Sequence, residues 1–212
     1  FRNSQFNFRR QWYKQGKTVQ DLGFASPLFP LGISFYTFQA LSYLIEINWE
    51  EEPEENLMDF MLYMLLFMKF LSGPIERAYD MLPQLKEKHL FNYENVTAGL
   101  KLVAWGAFMK LVIADRIAPS MNMVLDDVHL ATSAQMQQAT LLYPIQLYAD
   151  FAGYTNMALG LGAMFGFKLS PNFDRPFISL STGELWRRWH QSLSFWCRDY
   201  IFTPVSAEVR RW

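Results

Sequence analysis

A short segment near the end of the chain, residues 184–200, carries the side chains best suited to chemistry. It contains three arginines, three tryptophans and one histidine, His190, with Ser194 one helical turn later. A neutral imidazole can accept a proton near pH 7, so His190 is a candidate catalytic residue. A lone histidine in such a setting is more often a hydrogen-bonded packing residue. Residue types alone leave both interpretations open.

Periodicity predicts one amphipathic helix, over about residues 183–201, that positions these side chains. At about 3.6 residues per turn, one face is rich in tryptophan, the other is basic, and His190 lies at the border. The apolar face consists of Leu185, Trp186, Trp189, Leu193, Trp196, Cys197 and Tyr200, and the polar face of Glu184, Arg187, Arg188, Gln191 and Arg198. Such a helix suits a membrane boundary, because indole rings favour the headgroup zone and arginines reach anionic groups.

Composition also favours a membrane protein. Half of the 212 residues are hydrophobic (51%), and charged residues cluster between long apolar runs. The formal net charge of −1 gives no basis for binding nucleic acid. Cys197 is the only cysteine, which excludes an internal disulfide, and its place on the apolar face predicts a buried, inert thiol. HExxH, CxxC, Walker and GxGxxG motifs are absent from the sequence, so no metal or nucleotide site is predicted.

The alternation of apolar and charged segments predicts an all-α, polytopic membrane protein. A basic arm (residues 1–20) precedes the first apolar stretch, and about 20 apolar residues suffice for a helix to cross the bilayer. The predicted spans are residues 22–45, 57–75, 96–114, 134–149 and 151–167. Lys69, near the end of the second span, is expected to extend its amine towards the interface. Because the sequence starts at Phe1 and stops within continuing sequence, a piece of a longer protein is expected.

The apolar run from about residue 134 to residue 167 contains one acid, Asp150, and is too long for one straight crossing. We expect the run to break at residues 150–154, and the later glycines to permit close helix–helix approach. A carboxylate in such a run is costly unless it is paired. Asp150 is therefore expected to line a pore or to bond Arg187 and Arg188, with a solvated helix end as the alternative.

Charge asymmetry between the loops predicts an orientation. Lysine and arginine are abundant in the basic arm and in residues 76–95, whereas residues 46–56 are acidic and contain neither. By the positive-inside rule, the arm and residues 76–95 are cytoplasmic and the acidic loop faces outside.

Five sequence segments, taken in order, resemble a known family. They are residues 30–39 (PLGISFYTFQ), 72–77 (SGPIER), 148–154 (YADFAGY), 172–177 (NFDRPF) and 186–194 (WRRWHQSLS), the last followed by RDY at 198–200. Together they resemble the bacterial membrane-bound O-acyltransferases, most closely the alginate O-acetyltransferase branch. The D-alanine-transferring branch of teichoic acid modification is a more distant likeness. Each motif is weak alone, but the ordered set covers nearly the whole chain.

The resemblance implies one membrane-embedded domain over residues 1–212, a ring of tilted helices around a funnel or pore in the bacterial inner membrane. An acetyl group from a cytoplasmic donor, such as acetyl-CoA, would pass towards hydroxyls of an extracytoplasmic polysaccharide such as alginate. No bound cofactor is implied. Membrane lipids, the acyl donor and periplasmic acetyltransferase-like proteins are the expected partners.

The resemblance also makes His190 catalytic, because it falls on the histidine that is regarded as catalytic in the acetyltransferase branch. Residues expected to support the site or line the pore are Asp150, Tyr154, Ser194 and Asp199. Residues expected to bind donor phosphates or lipid are Arg187, Arg188, Trp186 and Trp189, with simple interfacial anchoring as the alternative. A second histidine, usual downstream in a Trp-His-Gly setting, does not occur before the chain ends, and residues 201–207 depart from the family's Pro-Leu-Gly-Gly.

Two other functional classes fit the same apolar pattern. Broken helices with charges inside spans are also typical of transporters and channels. A non-catalytic scaffold of an exopolysaccharide assembly would use the same spans and leave His190 without a chemical role. His89 and His129 lie in polar loops and are not expected to take part in either case.

Overall fold

The computed structural model describes residues 32–49, 51–69, 73–129 and 131–210, and no residue in these ranges forms a β-strand. The chain divides into two compact units, Phe1–Ile33 and Ser34–Trp212, and the second unit contains the candidate site. The predicted basic arm (residues 1–20) and the first part of the first predicted span lie outside the described residues. The prediction of an all-α chain is confirmed for the part that is described.

Helices of unequal length follow one another along the described ranges. In chain order they are α1 (Ile33–Asn48), α2 (Leu57–Leu65), α3 (Ala78–Lys86), α4 (Tyr93–Ala107), α5 (Asp115–Asp126), α6 (Ser133–Met164), α7 (Thr182–Arg188), α8 (Gln191–Cys197) and α9 (Thr203–Val209). Two π-helical segments join α4 to α5 (Phe108–Ala114) and α8 to α9 (Arg198–Phe202), and 3₁₀ turns cover Phe67–Lys69 and Pro176–Ile178.

Packing of α4 against α6 is the most extensive helix contact in the described part. Glycines make it close. A Cβ atom on Gly106 would lie 2.4 Å from the carbonyl oxygen of Gly153, and one on Gly99 would lie 2.4 Å from that of Gly160. No larger residue fits at such distances, so these glycines allow the two backbones to touch, as the glycine spacing predicts.

Helix α6 is continuous where the sequence predicts a break. Its 32 residues make a rod about 48 Å long, with residues 150–154 inside it. Gly153 serves the contact with α4 rather than a turn. Asp150 is accommodated within the helix because its carboxylate lies 2.6 Å from Lys110 Nζ.

In the second predicted span, residues 57–75, the described residues (57–69 and 73–75) form only a short helix and a 3₁₀ turn. Helix α2 has nine residues, a rise of about 14 Å, and the 3₁₀ turn that contains Lys69 follows it. Lys69 does not extend to a surface: it is 1% exposed, and its ammonium lies 3.9 Å from the centre of the Tyr63 ring. The expectation for Lys69 was wrong because the chain turns directly after α2 and covers the side chain.

The loops that flank this segment meet, contrary to the predicted orientation. Glu54 Oε2, in the acidic loop, lies 2.6 Å from Lys86 Nζ at the end of α3. Two loops joined by an ion pair cannot face opposite sides of a bilayer about 30 Å thick. The ion pair therefore brings the acidic loop and the end of α3 together, which does not fit a topology that places them on opposite sides of a bilayer.

By length and composition, one helix in the described part could cross a membrane. It is the continuous helix Tyr93–Asp126, formed by α4, the π segment and α5, with 34 residues and a mean hydropathy of 1.6 in its most apolar window. The third predicted span, residues 96–114, lies within it. Asp115 and Arg116, which directly follow the third predicted span, are helical because the π segment carries the helix past them.

Candidate functional site

The segment that carries His190 is broken at the histidine itself. Helix α7 ends at Arg188, Trp189 is extended, and His190 adopts the left-handed conformation with φ 43° and ψ 54°. The predicted single helix over residues 183–201 is therefore wrong. A left-handed backbone is strained for a residue with a Cβ atom, by about 1–2 kcal/mol, so neighbouring contacts must hold it.

Asn172 supplies those contacts. It is fully buried, and its backbone oxygen accepts a hydrogen bond from Gln191 N–H at 2.9 Å. Its side-chain oxygen accepts from Ser192 N–H at 3.3 Å and from the Ser192 hydroxyl at 2.6 Å. The first amides of α8 are thus satisfied by Asn172 instead of the carbonyls of α7. This replacement explains in physical terms why the amphipathic pattern does not form one helix.

Ser194 stabilises the other side of the break. Its hydroxyl lies within hydrogen-bond distance of two carbonyl oxygens near the end of α7, those of Trp186 at 3.2 Å and Trp189 at 3.3 Å. Its N–H donates to the carbonyl of His190 at 3.0 Å. The structure therefore gives Ser194 a backbone-supporting position next to His190.

The imidazole of His190 lies between aromatic rings. The Phe151 ring of α6 meets it edge-on with centroids 4.7 Å apart, and the Phe35 ring of α1 lies at 6.4 Å. Atom Nε2 is buried and has no hydrogen-bond partner among the described residues. Burial lowers the pKa of His190 to about 4. The ring is therefore neutral at pH 7, and its Nε2 atom is left without a hydrogen-bond partner in the part of the chain that the structure describes.

An aromatic cluster extends this apolar wall. Its members are Tyr148, Phe151, Phe173, Phe177 and Trp189, whose neighbouring ring centroids lie 5.0–6.4 Å apart. Trp189 belongs to it, whereas Trp186 is 59% exposed. The two tryptophans predicted on one helix face are separated because the break at Trp189 and His190 turns them apart.

The predicted partners of Asp150 lie elsewhere. Asp150 pairs with Lys110, which also holds Asp115 at 2.7 Å, so no bond to Arg187 or Arg188 is formed. Arg188 instead bridges Glu184 at 2.9 Å and Asp174 at 3.3 Å. Arg187 is exposed and forms no ion pair within the described part of the chain.

The other expected supporting residues occupy different settings. Asp199, on the π segment after α8, forms ion pairs with Arg77 and, at 2.6 Å, with Arg198. It thus ties α8 to the extended residues before α3. Tyr154 is half-buried on α6, one turn after Asp150.

Cys197 is exposed, which corrects the expectation of a buried thiol. The break rotates α8 relative to α7, so the face predicted as apolar and buried does not continue across it. Cys197 lines an open groove together with Ile201, Phe202 and Val205.

Sequence reasoning missed Asn172 and Ser192 as site residues. Both residues lie within the family-like motifs, but a neutral amide or hydroxyl has no sequence pattern that indicates its role. Ser192 Oγ also accepts from the backbone N–H of Ile75 at 3.1 Å, and a cleft of about 230 Å³ lies beside it, lined in part by Glu76, Arg77 and Arg198. Within the described ranges no group of His, Cys, Asp and Glu could hold a metal ion.

Most of the chain is similar to known proteins. The model of the membrane-bound O-acyltransferase family matches residues 53–211. A probable alginate O-acetylase of Azotobacter vinelandii is 39% identical over 183 residues, 85% of this chain and 36% of that protein. The peptidoglycan O-acetyltransferase of Helicobacter pylori is 33% identical (95% of this chain, 42% of that protein). The teichoic acid D-alanyltransferase of Streptococcus thermophilus is 36% identical (85% and 45%). The chain thus spans about a third of the length of the alginate O-acetylase.

Proposed function

We propose that this chain, which belongs to the membrane-bound O-acyltransferase family, is the His190-bearing part of an enzyme that acetylates hydroxyl groups of an extracytoplasmic polysaccharide. The relatives support the reaction class, since two of the three are named as acetyl-transferring enzymes and the third as an alanyltransferase. The observation that carries the proposal is the buried, neutral imidazole whose Nε2 has no partner among the described residues. The hydroxyl group that receives the acetyl group could donate a hydrogen bond to Nε2 and so supply the missing partner.

The chemistry needs a hydrogen-bond acceptor for the attacking hydroxyl. As the hydroxyl oxygen bonds to the acetyl carbonyl carbon, the carbon–sulfur bond of a thioester donor breaks and the leaving sulfur takes a proton. Neutral His190 accepts the hydroxyl proton at Nε2 and passes it to that sulfur. Burial makes a long-lived imidazolium costly, and no carboxylate in the described part is hydrogen-bonded to His190. Transfer of the proton in one concerted step avoids that cost.

The remaining assignments rest on the family and on the residues around His190. We assign acetyl-CoA as donor, the bacterial inner membrane as location, and a multi-pass ring of helices around a funnel as architecture. Periplasmic acetyltransferase-like proteins and membrane lipids are the partners. Arg187 and Trp186, which are exposed, contact the donor or lipid. Arg188, paired with Glu184 and Asp174, and Trp189, packed in the aromatic cluster, contribute to this surface from behind. Asp150, Tyr154, Ser194 and Asp199 support the site.

Replacement of His190 in the full-length protein tests the proposal. His190→Gln keeps a polar side chain of similar size but removes the imidazole, so polymer O-acetylation should fall by about 10²–10⁴-fold, the usual contribution of a general base. The assay is acetyl content of the polymer, normalised to the amount of folded protein in the membrane.

His129→Gln is the matched control, because His129 is exposed and far along the chain from the site. It should acetylate as the wild type does. Near-normal acetylation by His190→Gln would overturn the catalytic assignment. A lower protein level with normal specific activity would make His190 a packing residue.

A further inference from the structure

We infer that Asn172 is a positioning residue for His190: its side chain interrupts an otherwise helical segment and fixes the imidazole where it can meet the acceptor hydroxyl. The inference rests on the proposed function of His190. It adds a residue that touches no reacting atom and acts through the backbone.

The sequence pattern and the backbone conformation conflict at His190. Residues 183–201 have the periodicity of one amphipathic helix, yet the chain is left-handed at His190. Arg175 is the other non-glycine residue with positive φ in the described part. Local sequence does not explain the conformation of His190, so an external contact must impose it.

Asn172 makes that contact in the right place. It is 0% exposed and accepts from the two residues that directly follow His190. Its backbone oxygen takes the N–H of Gln191 at 2.9 Å, and its side-chain oxygen takes the hydroxyl of Ser192 at 2.6 Å. In a continuous helix the amides of these two residues would instead bond to carbonyls four residues earlier. Asn172 therefore competes with helix propagation at the point where the break occurs.

The same side chain is also tied to the opposite wall of the site. Asn172 Nδ2 lies 3.5 Å from Thr155 Oγ1 on α6. Thr155 is one turn after Phe151, so both residues lie on one side of α6. Phe151 is the ring that meets His190 edge-on at 4.7 Å. One amide thus sets the position of His190 relative to Phe151, the contact that buries the imidazole.

The test compares Asn172→Ala with Asn172→Asp in the full-length protein. Alanine removes the side-chain acceptor for Ser192, whereas aspartate keeps an oxygen in the same place. We expect Asn172→Ala to lower kcat at least 10-fold with little change in KM for the acyl donor. Asn172→Asp keeps the acceptor for Ser192 but loses the Nδ2 contact with Thr155 and buries a charge, so it should restore part of the loss. Asn156→Ala is the matched control, because Asn156 is half-buried on α6 and bonds Met109 Sδ. It should leave kcat unchanged.

A second measurement does not depend on catalysis. Diethyl pyrocarbonate modifies accessible imidazoles, and mass spectrometry of the peptide reports His190 separately from His89 and His129. Because Nε2 is buried, His190 should react slowly in the wild type, in Asn172→Asp and in Asn156→Ala. It should react at least 10-fold faster in Asn172→Ala, while His129 is unaffected.

The outcomes separate this inference from the proposed function. Wild-type kcat or slow modification of His190 in Asn172→Ala would overturn the positioning role, even where His190→Gln is inactive. If His190→Gln is active, the proposed function itself fails. Should Asn172→Ala not fold, Ser192→Ala removes the 2.6 Å bond to Asn172 together with the bond from the backbone N–H of Ile75, and leaves the Asn172 side chain in place. It should lower kcat several-fold and raise the reactivity of His190, and wild-type values for both would contradict the inference.

Discussion

His190 illustrates how burial sets the chemistry of a single residue. Its ring lies against Phe151, and Nε2 has no partner within the described residues. Burial lowers the pKa of His190 to about 4, so the imidazole is neutral across the physiological range. A neutral ring is ready to accept a proton from a hydroxyl, but it is also a weak base. The site therefore favours brief, concerted transfer over accumulation of an imidazolium.

The lowered pKa predicts a pH dependence of stability. Unfolded His190 titrates near its usual value of about 6.5, whereas the folded residue titrates at about 4. Between these values the unfolded chain binds a proton that the folded protein does not, so stability falls as pH decreases from about 6.5 to about 4. His190→Gln lacks this group. We expect its melting temperature to fall less than that of the wild type between pH 7.5 and pH 5.

Thermal unfolding at both pH values measures this difference, and the comparison within each protein cancels the other titrating groups. An equal decrease in melting temperature for both proteins would show that His190 titrates normally when folded.

At the scale of helices, backbone contact between α4 and α6 organises the described part. A Cβ on Gly106 would lie 2.4 Å from the oxygen of Gly153, so any side chain there forces the helices apart. We expect Gly106→Ala to lower the free energy of unfolding by about 1–3 kcal/mol, the usual cost of overpacking. Gly183→Ala is the control, since a Cβ there meets nothing within 4 Å. Thermal unfolding in detergent should separate the two, and equal melting temperatures would contradict the close packing.

The ion pair between Glu54 and Lys86 predicts membrane topology. Single cysteines at Glu52 and at Lys88, both exposed, are introduced with Cys197→Ser as background. Because the pair joins the two loops, both cysteines should react with a membrane-impermeant thiol reagent from the same side. If one of the two cysteines is labelled in intact cells and the other only after lysis, the two loops lie on opposite sides of the membrane, as charge asymmetry predicts.

Helix content was predictable from the sequence, but helix continuity was not. Apolar runs identified the regions of α1, α4 and α6, because burial in protein or lipid requires apolar residues in either case. The sequence pattern predicted a helix break at Asp150 and Gly153. The residues that make them compatible with a helix, Lys110 and Gly106, are distant in sequence, so a local pattern could not reveal them. At the site, side-chain chemistry identified His190. The left-handed break at His190 depends on contacts with Asn172, which is distant in sequence, so local periodicity does not predict it.

At the scale of the whole molecule, the described part supplies most of the contacts that surround His190. The chain covers about a third of the alginate O-acetylase that it resembles. Aromatic rings, the Asn172 contact and the α6 helix all converge on His190. The neutral imidazole receives no counter-charge from the described residues. We expect the full-length enzyme to supply the groups that stabilise the leaving sulfur and the carbonyl oxygen.

Single-turnover transfer by the purified full-length protein tests the central claim most directly. Protein in lipid vesicles is mixed with labelled acetyl-CoA and a saccharide acceptor, and donor binding is measured separately. With His190→Gln, donor affinity should stay within about threefold of wild type, and the transfer rate should fall by about 10²–10⁴-fold. An unchanged rate of acetyl transfer with normal donor binding would contradict the role of His190 as the group that activates the acceptor hydroxyl.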